Sequence, residues 1–232
     1  MFRIIGHRGV PSAEPENTPR SFRKAVELGC DMVETDLRLC GSGEVVAIHD
    51  ETVDRTTDGS GFVSDMNLDQ IRSLDAGSGE RIPTLPEVLG TLAGRCGVNL
   101  ELKGRGTPSP VIDVLDEFVE GKKMSGEEII ISSFDPTLLM ETLEITSEYR
   151  IGVLVKNNPF GSEEFADRIS AFSVHPQYDF INLEFVESSH ELGLEVYPWT
   201  VNGTADIEMV MGMGCDGVIT DYPERALNIR DR

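Results

Sequence analysis

Residues 2–37, FRIIGHRGVPSAEPENTPRSFRKAVELGCDMVETDL, contain two short apolar runs with a helical pattern between them. The runs FRII (2–5) and MVETDL (32–37) have the length and composition of β-strands. The tripeptide NTP (17–19) predicts a helix start, because a capping side chain precedes a proline whose missing N–H costs nothing in a first turn. The stretch therefore predicts a strand, a crossover helix and a second strand parallel to the first.

The same alternation continues along the chain, with amphipathic helices between strand candidates. Many candidates are continuous apolar runs, which is typical of strands covered on both faces. With a length of 232 residues, the pattern predicts one α/β domain over 1–232, a closed (β/α)8 TIM barrel. The further candidates are VVAIH (45–49), VNLELK (98–103), EIIISSF (128–134), RIGVLV (150–155), FINLEF (180–185), EVYPWTV (195–201) and GVIT (217–220).

One part of this pattern does not fit a regular barrel. Nine strand candidates compete for eight positions, and RLCGSGE (38–44) is too short to hold a crossover helix between the second and third candidates. We therefore expect the barrel to be irregular between its second and third strands, or one candidate to lie outside it.

The charge balance restricts the partners. The chain carries 20 basic and 41 acidic residues, a formal net charge of −21. Such a surface repels nucleic acid and anionic membranes, so we expect neither nucleic-acid binding nor stable membrane association. A small anionic substrate is still compatible with this charge, provided that its site is locally positive.

The four cysteines form no Cys-x-x-Cys pair, and a chain of this length does not need disulfide staples. They indicate core thiols in a reducing compartment. The N-terminus lacks the apolar stretch of a signal peptide, and no run approaches membrane-spanning length. We expect a cytoplasmic protein, and the sequence does not specify its oligomeric state.

Residues that can carry positive charge lie at predicted strand ends, where a barrel places its catalytic residues. His7 and Arg8 follow the first strand between two glycines, and His49 ends the third candidate. Two histidines suit general acid–base catalysis, because both protonation states are populated near neutral pH. Arg8 and Lys103 are expected to contact a phosphate group, the first as a planar fork and the second as a point charge.

Three acidic residues are expected at the same end of the barrel. Glu34 and Asp36 lie two residues apart on one strand, and Glu101 lies on another. Converging carboxylates repel one another unless they pair with Arg and Lys or hold a cation. Because the first of these strands is otherwise apolar and no cysteine joins the three acids, we expect a divalent cation, Mg²⁺ or Ca²⁺ rather than zinc.

Other candidate residues have two interpretations each. Trp199, the one tryptophan of the sequence, either packs in the core or contacts the apolar face of a small polyol, and Phe134 has the same alternatives. His175 precedes the predicted strand 180–185 and is interpreted as structural. Glu16 and Asn17 are expected to shape the following helix start rather than to contact substrate.

With these residues in place, the chain resembles the glycerophosphodiester phosphodiesterases of the phosphatidylinositol-phospholipase-C-like phosphodiesterase superfamily. The resemblance covers nearly the whole chain and follows the family's order of motifs. The matching blocks are GHRG with PENTPRSFRKAVELGCDMVETDLRL, then VVAIHDETVDRTTDGSG, IPTLPEVL, NLELK, SSF, WTVN and GCDGVITDYP.

The resemblance implies a TIM barrel and metal-dependent hydrolysis of glycerophosphodiesters to glycerol 3-phosphate and an alcohol. It also suggests that the glycerol 2-hydroxyl is the nucleophile, which gives a cyclic phosphate that water opens. We assign His7 as base and His49 as acid in the first step, an order that the sequence does not fix. The family's positions hold the expected residue types, namely the metal acids Glu34, Asp36 and Glu101, the acid–base pair His7 and His49, and the phosphate ligands Arg8 and Lys103.

One departure from larger family members concerns the rim of the site. Only residues 51–81 separate Asp50 from the block IPTLPEVL, so no separate cap domain fits and we expect an open site with loose selection of the leaving alcohol. Two alternatives stay open, a phospholipase-type enzyme of the same superfamily and a non-catalytic barrel that binds a phosphate ester or a metal.

Overall fold

Eight parallel strands form a nearly closed barrel in the computed structural model, which describes residues 2–232. The strands are β1 (Arg3–His7), β2 (Met32–Leu39), β3 (Val45–Ala47), β4 (Gly97–Leu102), β5 (Ile129–Ser133), β6 (Arg150–Val155), β7 (Ser173–Pro176), β8 (Glu195–Val196) and β9 (Gly217–Thr220). Their order around the barrel is β8-β7-β6-β5-β4-β2-β1-β9, and β3 pairs with β2 outside this order. Backbone hydrogen bonds from Asp216 to Val196 and from Ile219 to Pro198 join the two ends of the sheet.

Helices alternate with the parallel strands and cover the outside of the barrel. Thr18 caps the first helix by accepting a hydrogen bond from the Ser21 N–H, and Pro19 follows it, as the sequence predicts. Across residues 2–232, no helix is both long and apolar enough to cross a membrane. The helices are α1 (Pro19–Leu28), α2 (Leu68–Arg72), α3 (Leu85–Leu92), α4 (Pro108–Glu120), α5 (Pro136–Ile145), α6 (Ser162–Arg168), α7 (Leu183–Glu191), α8 (Thr204–Gly212) and α9 (Pro223–Arg230).

The ninth strand lies outside the barrel, which resolves the surplus of candidates. Strand β3 runs antiparallel to β2, because the short connection between them allows a hairpin but no crossover. The predicted irregularity is therefore confirmed. Residues 40–84 form an excursion from the barrel with a small apolar cluster of its own, made by Cys40, Val46, Ile48, Val53, Val63, Ile71, Ala76 and Ile82.

One strand prediction is wrong. FINLEF (180–185) contains no strand: Asn182 caps α7 by accepting a hydrogen bond from the Phe185 N–H at 2.9 Å. The barrel strand at this position is instead β7, SVHP, which ends in proline and is too short to give a periodic signal. The candidate EVYPWTV is also shorter than predicted, since regular pairing in β8 covers only its first two residues.

Apolar side chains pack in two layers. The larger cluster lies between the strands and the surrounding helices and includes Val33, Leu100 and Phe185. A smaller cluster fills the barrel interior, where Ile5 and Tyr197 are fully buried. Because both faces of the strands are covered, the runs read as continuously apolar.

His175 points away from water inside this barrel and is fully buried. Its Nε2 lies 2.8 Å from the Ser173 hydroxyl, and its ring packs so closely on Gly152 that a Cβ there would lie 2.7 Å from it. Burial lowers the pKa of the His175 imidazole to about 3. The residue is therefore neutral at ordinary pH and is structural, as expected from the sequence.

This burial predicts acid sensitivity of the fold. An unfolded histidine takes up a proton near pH 6.5, whereas folded His175 does so only near its lowered pKa, so protonation favours the unfolded chain as the pH falls below 6.5. The contribution is at most about 1.4 kcal/mol per pH unit. Urea unfolding at pH 7, 6 and 5 should show a shallower loss of stability in His175→Gln than in the wild type, and parallel profiles would contradict this.

Candidate active site

The strand register brings the three predicted acids together. His7 of β1 pairs with Glu34 of β2, and Asp36 of β2 pairs with Glu101 of β4. Paired residues of parallel strands point to the same face, and Glu34 and Asp36 are two residues apart, so all three acids face the barrel mouth. One oxygen from each lies within 4.8 Å of the others, and all three residues are buried.

Two cationic side chains, both expected from the sequence to contact a phosphate, accompany this acid cluster. Lys103 Nζ lies 3.1 Å from Asp36 Oδ1 and 2.5 Å from Glu101 Oε1. Arg8 Nε lies 3.1 Å from Asp36 Oδ2, and the Arg8 backbone N–H donates to Glu34 Oε2 at 3.0 Å. Asp36 therefore lies between both cations, whereas Glu34 receives a backbone hydrogen bond and, among the described residues, no Arg or Lys side chain within ion-pair distance.

Glu34 and Glu101 are harder to ionise than free glutamate side chains. Burial, together with the nearby charges of Asp36 and Glu101, raises the pKa of Glu34 well above its usual range. Burial and the charge of Asp36 also raise the pKa of Glu101, to about 7, although Lys103 lies beside it. Burial acts in the same direction on Asp36, but Lys103 and Arg8 outweigh it and lower that pKa to about 2.

This donor set fits a hard divalent cation. Glu34 Oε1 is buried and has no hydrogen-bond partner in the part of the chain that the structure describes. A buried carboxylate oxygen without a partner is costly, and a cation between the three acids would relieve both this cost and their mutual repulsion. Glu34, Asp36 and Glu101 are thus the residues that could hold a metal ion.

Asn17, which the sequence analysis assigned to the helix start, also contacts this cluster. Its Nδ2 donates to Asp36 Oδ2 at 2.9 Å, and its Oδ1 accepts from the Thr35 hydroxyl at 2.8 Å. Asn17 is buried and adopts a left-handed backbone with φ of 54°. Thr18, one residue later, caps the helix instead.

Glu16 is likewise tied to the site. Its Oε1 accepts from Arg8 at 2.8 Å, and its two oxygens also accept from Arg55. Its carboxylate thus holds the side chain of a predicted phosphate ligand, a contact that the expected role at the helix start did not include.

His7 forms a pair with an aspartate that the sequence reasoning did not single out. His7 Nδ1 donates to Asp221 Oδ1 at 2.7 Å, which leaves Nε2 facing the acid cluster, 3.9 Å from Glu34 Oε2. Asn202 in turn donates to Asp221 Oδ2 at 2.7 Å. Asp221 directly follows the last strand, β9, so a search for charged residues at strand ends would have found it there.

His49 has a corresponding partner on the excursion. Its Nδ1 donates to Asp50 Oδ1 at 2.6 Å, and Arg38 Nε donates to the His49 carbonyl at 2.8 Å. Burial lowers the pKa of the His49 imidazole, against the opposing attraction of Asp36 and Asp50. Each predicted acid–base histidine thus has a carboxylate on Nδ1, which fixes its orientation.

The two glycines around His7 and Arg8 are sterically required. A Cβ on Gly6 would lie 2.5 Å from the Gly9 carbonyl oxygen, and a Cβ on Gly9 would lie 2.3 Å from the Ser21 hydroxyl. Gly9 also has φ of 89°. The tight turn that the glycines allow directs the Arg8 backbone N–H and side chain toward the acids.

One cavity of about 290 Å³ contains nearly all of the predicted site. Trp199 and Phe134 line one wall in an edge-to-face contact, with ring centroids 5.3 Å apart. Leu154 and the exposed Lys156 also line the cavity, and sequence reasoning did not single out either residue. The remaining lining residues are His7, Arg8, Glu34, His49, Glu101, Lys103, Thr200 and Ile219.

Comparison with known proteins identifies the family. The sequence profile of the glycerophosphoryl diester phosphodiesterase family matches residues 7–225. The chain belongs to this family. A glycerophosphodiester phosphodiesterase of Caldanaerobacter subterraneus subsp. tengcongensis is 39% identical, over 97% of this chain and 96% of that protein. The resemblance in the sequence is confirmed, and with it the assignment of the chain as a glycerophosphodiester phosphodiesterase.

Solved structures agree with the barrel. An Oleispira antarctica phosphodiesterase in complex with the product sn-glycerol-3-phosphate has a TM-score of 0.91 and 29% identity, with 99% of this chain and 97% of that chain covered. A glycerophosphodiester phosphodiesterase of Thermotoga maritima has a TM-score of 0.82 and 29% identity, with coverage of 100% and 99%. The TIM-barrel prediction is confirmed.

The acid cluster predicts how a metal ion binds. A cation that binds Glu101 displaces the proton that this side chain partly retains near pH 7, because its pKa is raised to about 7, so affinity should rise with pH and binding should release protons. The raised pKa of Glu34 acts in the same direction. Glu101→Gln removes one charged ligand and should weaken Mg²⁺ or Ca²⁺ binding by at least about tenfold. Calorimetry in buffers of different ionisation enthalpy measures both effects.

The matched control is Glu117→Gln, which neutralises an exposed glutamate within α4. It should bind the metal as the wild type does. Equal metal affinity and equal proton release in Glu101→Gln and the wild type would remove Glu101 from the ligand set.

Proposed function

We propose that this enzyme hydrolyses glycerophosphodiesters to glycerol 3-phosphate and an alcohol, with a divalent cation and two histidines as general acid and base. One observation carries the proposal: His7 and His49 line the same cavity as Glu34, Glu101 and Arg8. A proton acceptor, a proton donor, a cation site and a phosphate ligand thus face one volume large enough for a small diester.

In the proposed first step, His7 Nε2 removes the proton from the glycerol 2-hydroxyl, whose oxygen then bonds to phosphorus. The bond from phosphorus to the leaving oxygen breaks, and His49 protonates that oxygen. Asp221 accepts from Nδ1 of His7 and Asp50 from Nδ1 of His49, so each carboxylate stabilises the imidazolium form of its partner.

In the second step the histidines exchange roles, since microscopic reversibility applies to the same two groups. His49 takes a proton from water, whose oxygen bonds to phosphorus, and the ring of the cyclic phosphate opens as His7 returns the proton to the glycerol 2-oxygen. Arg8 and Lys103 hold the phosphate oxygens by charge throughout. The products are glycerol 3-phosphate and the leaving alcohol.

The cation is proposed to be Mg²⁺ or Ca²⁺, held by Glu34, Asp36 and Glu101. When bound, it would polarise a phosphoryl oxygen and offset the charge that develops in the transition state. The cluster contains only oxygen donors, which favours a hard cation over zinc.

We also propose that residues 1–232 act as a single catalytic domain in the cytoplasm, without stable membrane association. The site supports the first part, because its residues extend from His7 in β1 to Asp221 after β9. The net charge of −21 supports the last part, because it opposes binding to anionic lipid.

The activity is tested by release of glycerol 3-phosphate from glycerophosphocholine. His49→Ala should lower turnover by about 10²–10⁴-fold, the usual contribution of one acid–base group, and chelation of divalent cations should abolish release in the wild type. His190→Ala, an exposed histidine on α7, is the control and should keep full turnover. Full activity in His49→Ala would exclude that residue from the mechanism.

A lipid substrate is a second candidate, favoured by the apolar wall. Phe134 is 40% exposed and contacts Trp199 edge to face, and these two residues and Leu154 line the cavity, where an acyl chain on the glycerol could pack. Hydrolysis of lysophosphatidylcholine gives choline and lysophosphatidic acid rather than glycerol 3-phosphate, so the two candidates are separated by measuring choline release from both substrates. We expect a higher kcat/KM for glycerophosphocholine, and the reverse order would make the enzyme a phospholipase-type member of the superfamily.

A further inference from the structure

The two sides of the site belong to different parts of the chain. His7 and Arg8 end a barrel strand, whereas His49 lies on the excursion formed by residues 40–84. The backbone of the excursion is tied to β2, since the Ile48 N–H donates to the Asp36 carbonyl at 3.0 Å. These backbone contacts place the segment but do not orient the side chains of His49 and Arg8 relative to each other.

Arg55 bridges the two parts with four hydrogen bonds. Its Nε and Nη2 donate to the two oxygens of Asp50 at 2.6 and 3.3 Å. Its Nη1 and Nη2 donate to the two oxygens of Glu16 at 2.8 and 2.9 Å. One guanidinium therefore holds a carboxylate of the excursion and a carboxylate of the β1–α1 loop at once, a geometry that lysine does not reproduce.

Both carboxylates hold predicted catalytic or phosphate-binding side chains. Asp50 Oδ1 accepts from His49 Nδ1 at 2.6 Å, and Glu16 Oε1 accepts from Arg8 Nη1 at 2.8 Å. Hydrogen bonds to Arg55 lower the pKa of Asp50 and help to lower that of Glu16, so both carboxylates stay charged. Hydrogen bonds thus link the His49 imidazole, through Asp50, Arg55 and Glu16, to the Arg8 guanidinium.

The fold itself does not need the Arg55 side chain. The turn that carries Arg55 is closed by backbone hydrogen bonds from the Val53 N–H to the Gly61 carbonyl and from the Thr57 N–H to the Val53 carbonyl. Val53 is fully buried, whereas the Arg55 side chain is 48% exposed. Exposed ion pairs add little stability, so a structural role alone does not explain a guanidinium with four well-directed bonds.

We propose that Arg55 is a positioning residue: through Asp50 and Glu16 it fixes the imidazole of His49 and the guanidinium of Arg8 relative to one another. This inference rests on the proposed function of the site. A displacement of about 1 Å between reacting groups costs about 100-fold in rate, so a contact that stabilises the fold little still matters for turnover.

The test compares Arg55→Gln, Arg55→Lys and the control Arg20→Gln. Arg20 is also 48% exposed and pairs with Glu14 of the same β1–α1 loop, but contacts neither Asp50 nor Glu16. For glycerophosphocholine, Arg55→Gln should lower kcat by about 10- to 100-fold and raise KM, because His49 and Arg8 both lose their orientation. Arg55→Lys should fall between Arg55→Gln and the wild type, since lysine keeps the charge without the fork.

Two further measurements separate positioning from folding. The melting temperatures of Arg55→Gln and Arg20→Gln should fall by similar amounts, no more than about 4 °C. The low-field NMR signal of the His49 Nδ1–H, which reports its bond to Asp50, should persist in Arg20→Gln and weaken in Arg55→Gln.

The outcomes separate this inference from the proposed function. If wild-type enzyme releases no glycerol 3-phosphate, the proposed function fails, and the NMR comparison still decides whether Arg55 orients His49. If kcat, KM and the His49 signal of Arg55→Gln match those of Arg20→Gln, the positioning role is overturned.

Discussion

Three carboxyl groups buried within 4.8 Å of one another are the constraint on which the rest of the site depends. Such groups cannot all be ionised in a poorly solvated place unless positive charge lies beside them. Lys103 and Arg8 supply part of that charge and favour Asp36, whereas burial raises the pKa of Glu34 and Glu101. The remaining deficit of positive charge is the physical reason for proposing a cation at these acids, and the repulsion between the acids also explains why arginine and lysine occupy this end of an otherwise acidic protein.

From this cluster, charges alternate outward to the rim of the barrel. Asp36 contacts Arg8, Arg8 contacts Glu16, and Glu16 contacts Arg55, which reaches Asp50 and so the imidazole of His49. Alternation of sign allows each member to stay charged with modest cost, because every group has a neighbour of opposite charge. The network joins barrel and excursion, so the proposed metal binding, phosphate contact and proton transfer would all depend on one set of ion pairs.

The sequence predicted most of the fold and the inner site, because residue periodicity and strand ends carry that information. Glu34, Asp36 and Glu101 could be placed together from strand spacing alone. The strand containing His175 was missed because it is short and ends in proline, while the cap Asn182 shows why the following apolar run is helical. Contacts such as Asn17 to Asp36 depend on a left-handed backbone and a loop path, which local patterns do not encode.

Anomalous diffraction from crystals soaked with Mn²⁺ and glycerol 3-phosphate tests the central claim most directly, because it locates the cation without reference to turnover. The account predicts one strong peak bonded to an oxygen of each of Glu34, Asp36 and Glu101, with the phosphate beside Arg8. A peak elsewhere, with the three acids in contact only with Lys103 and Arg8, would contradict it.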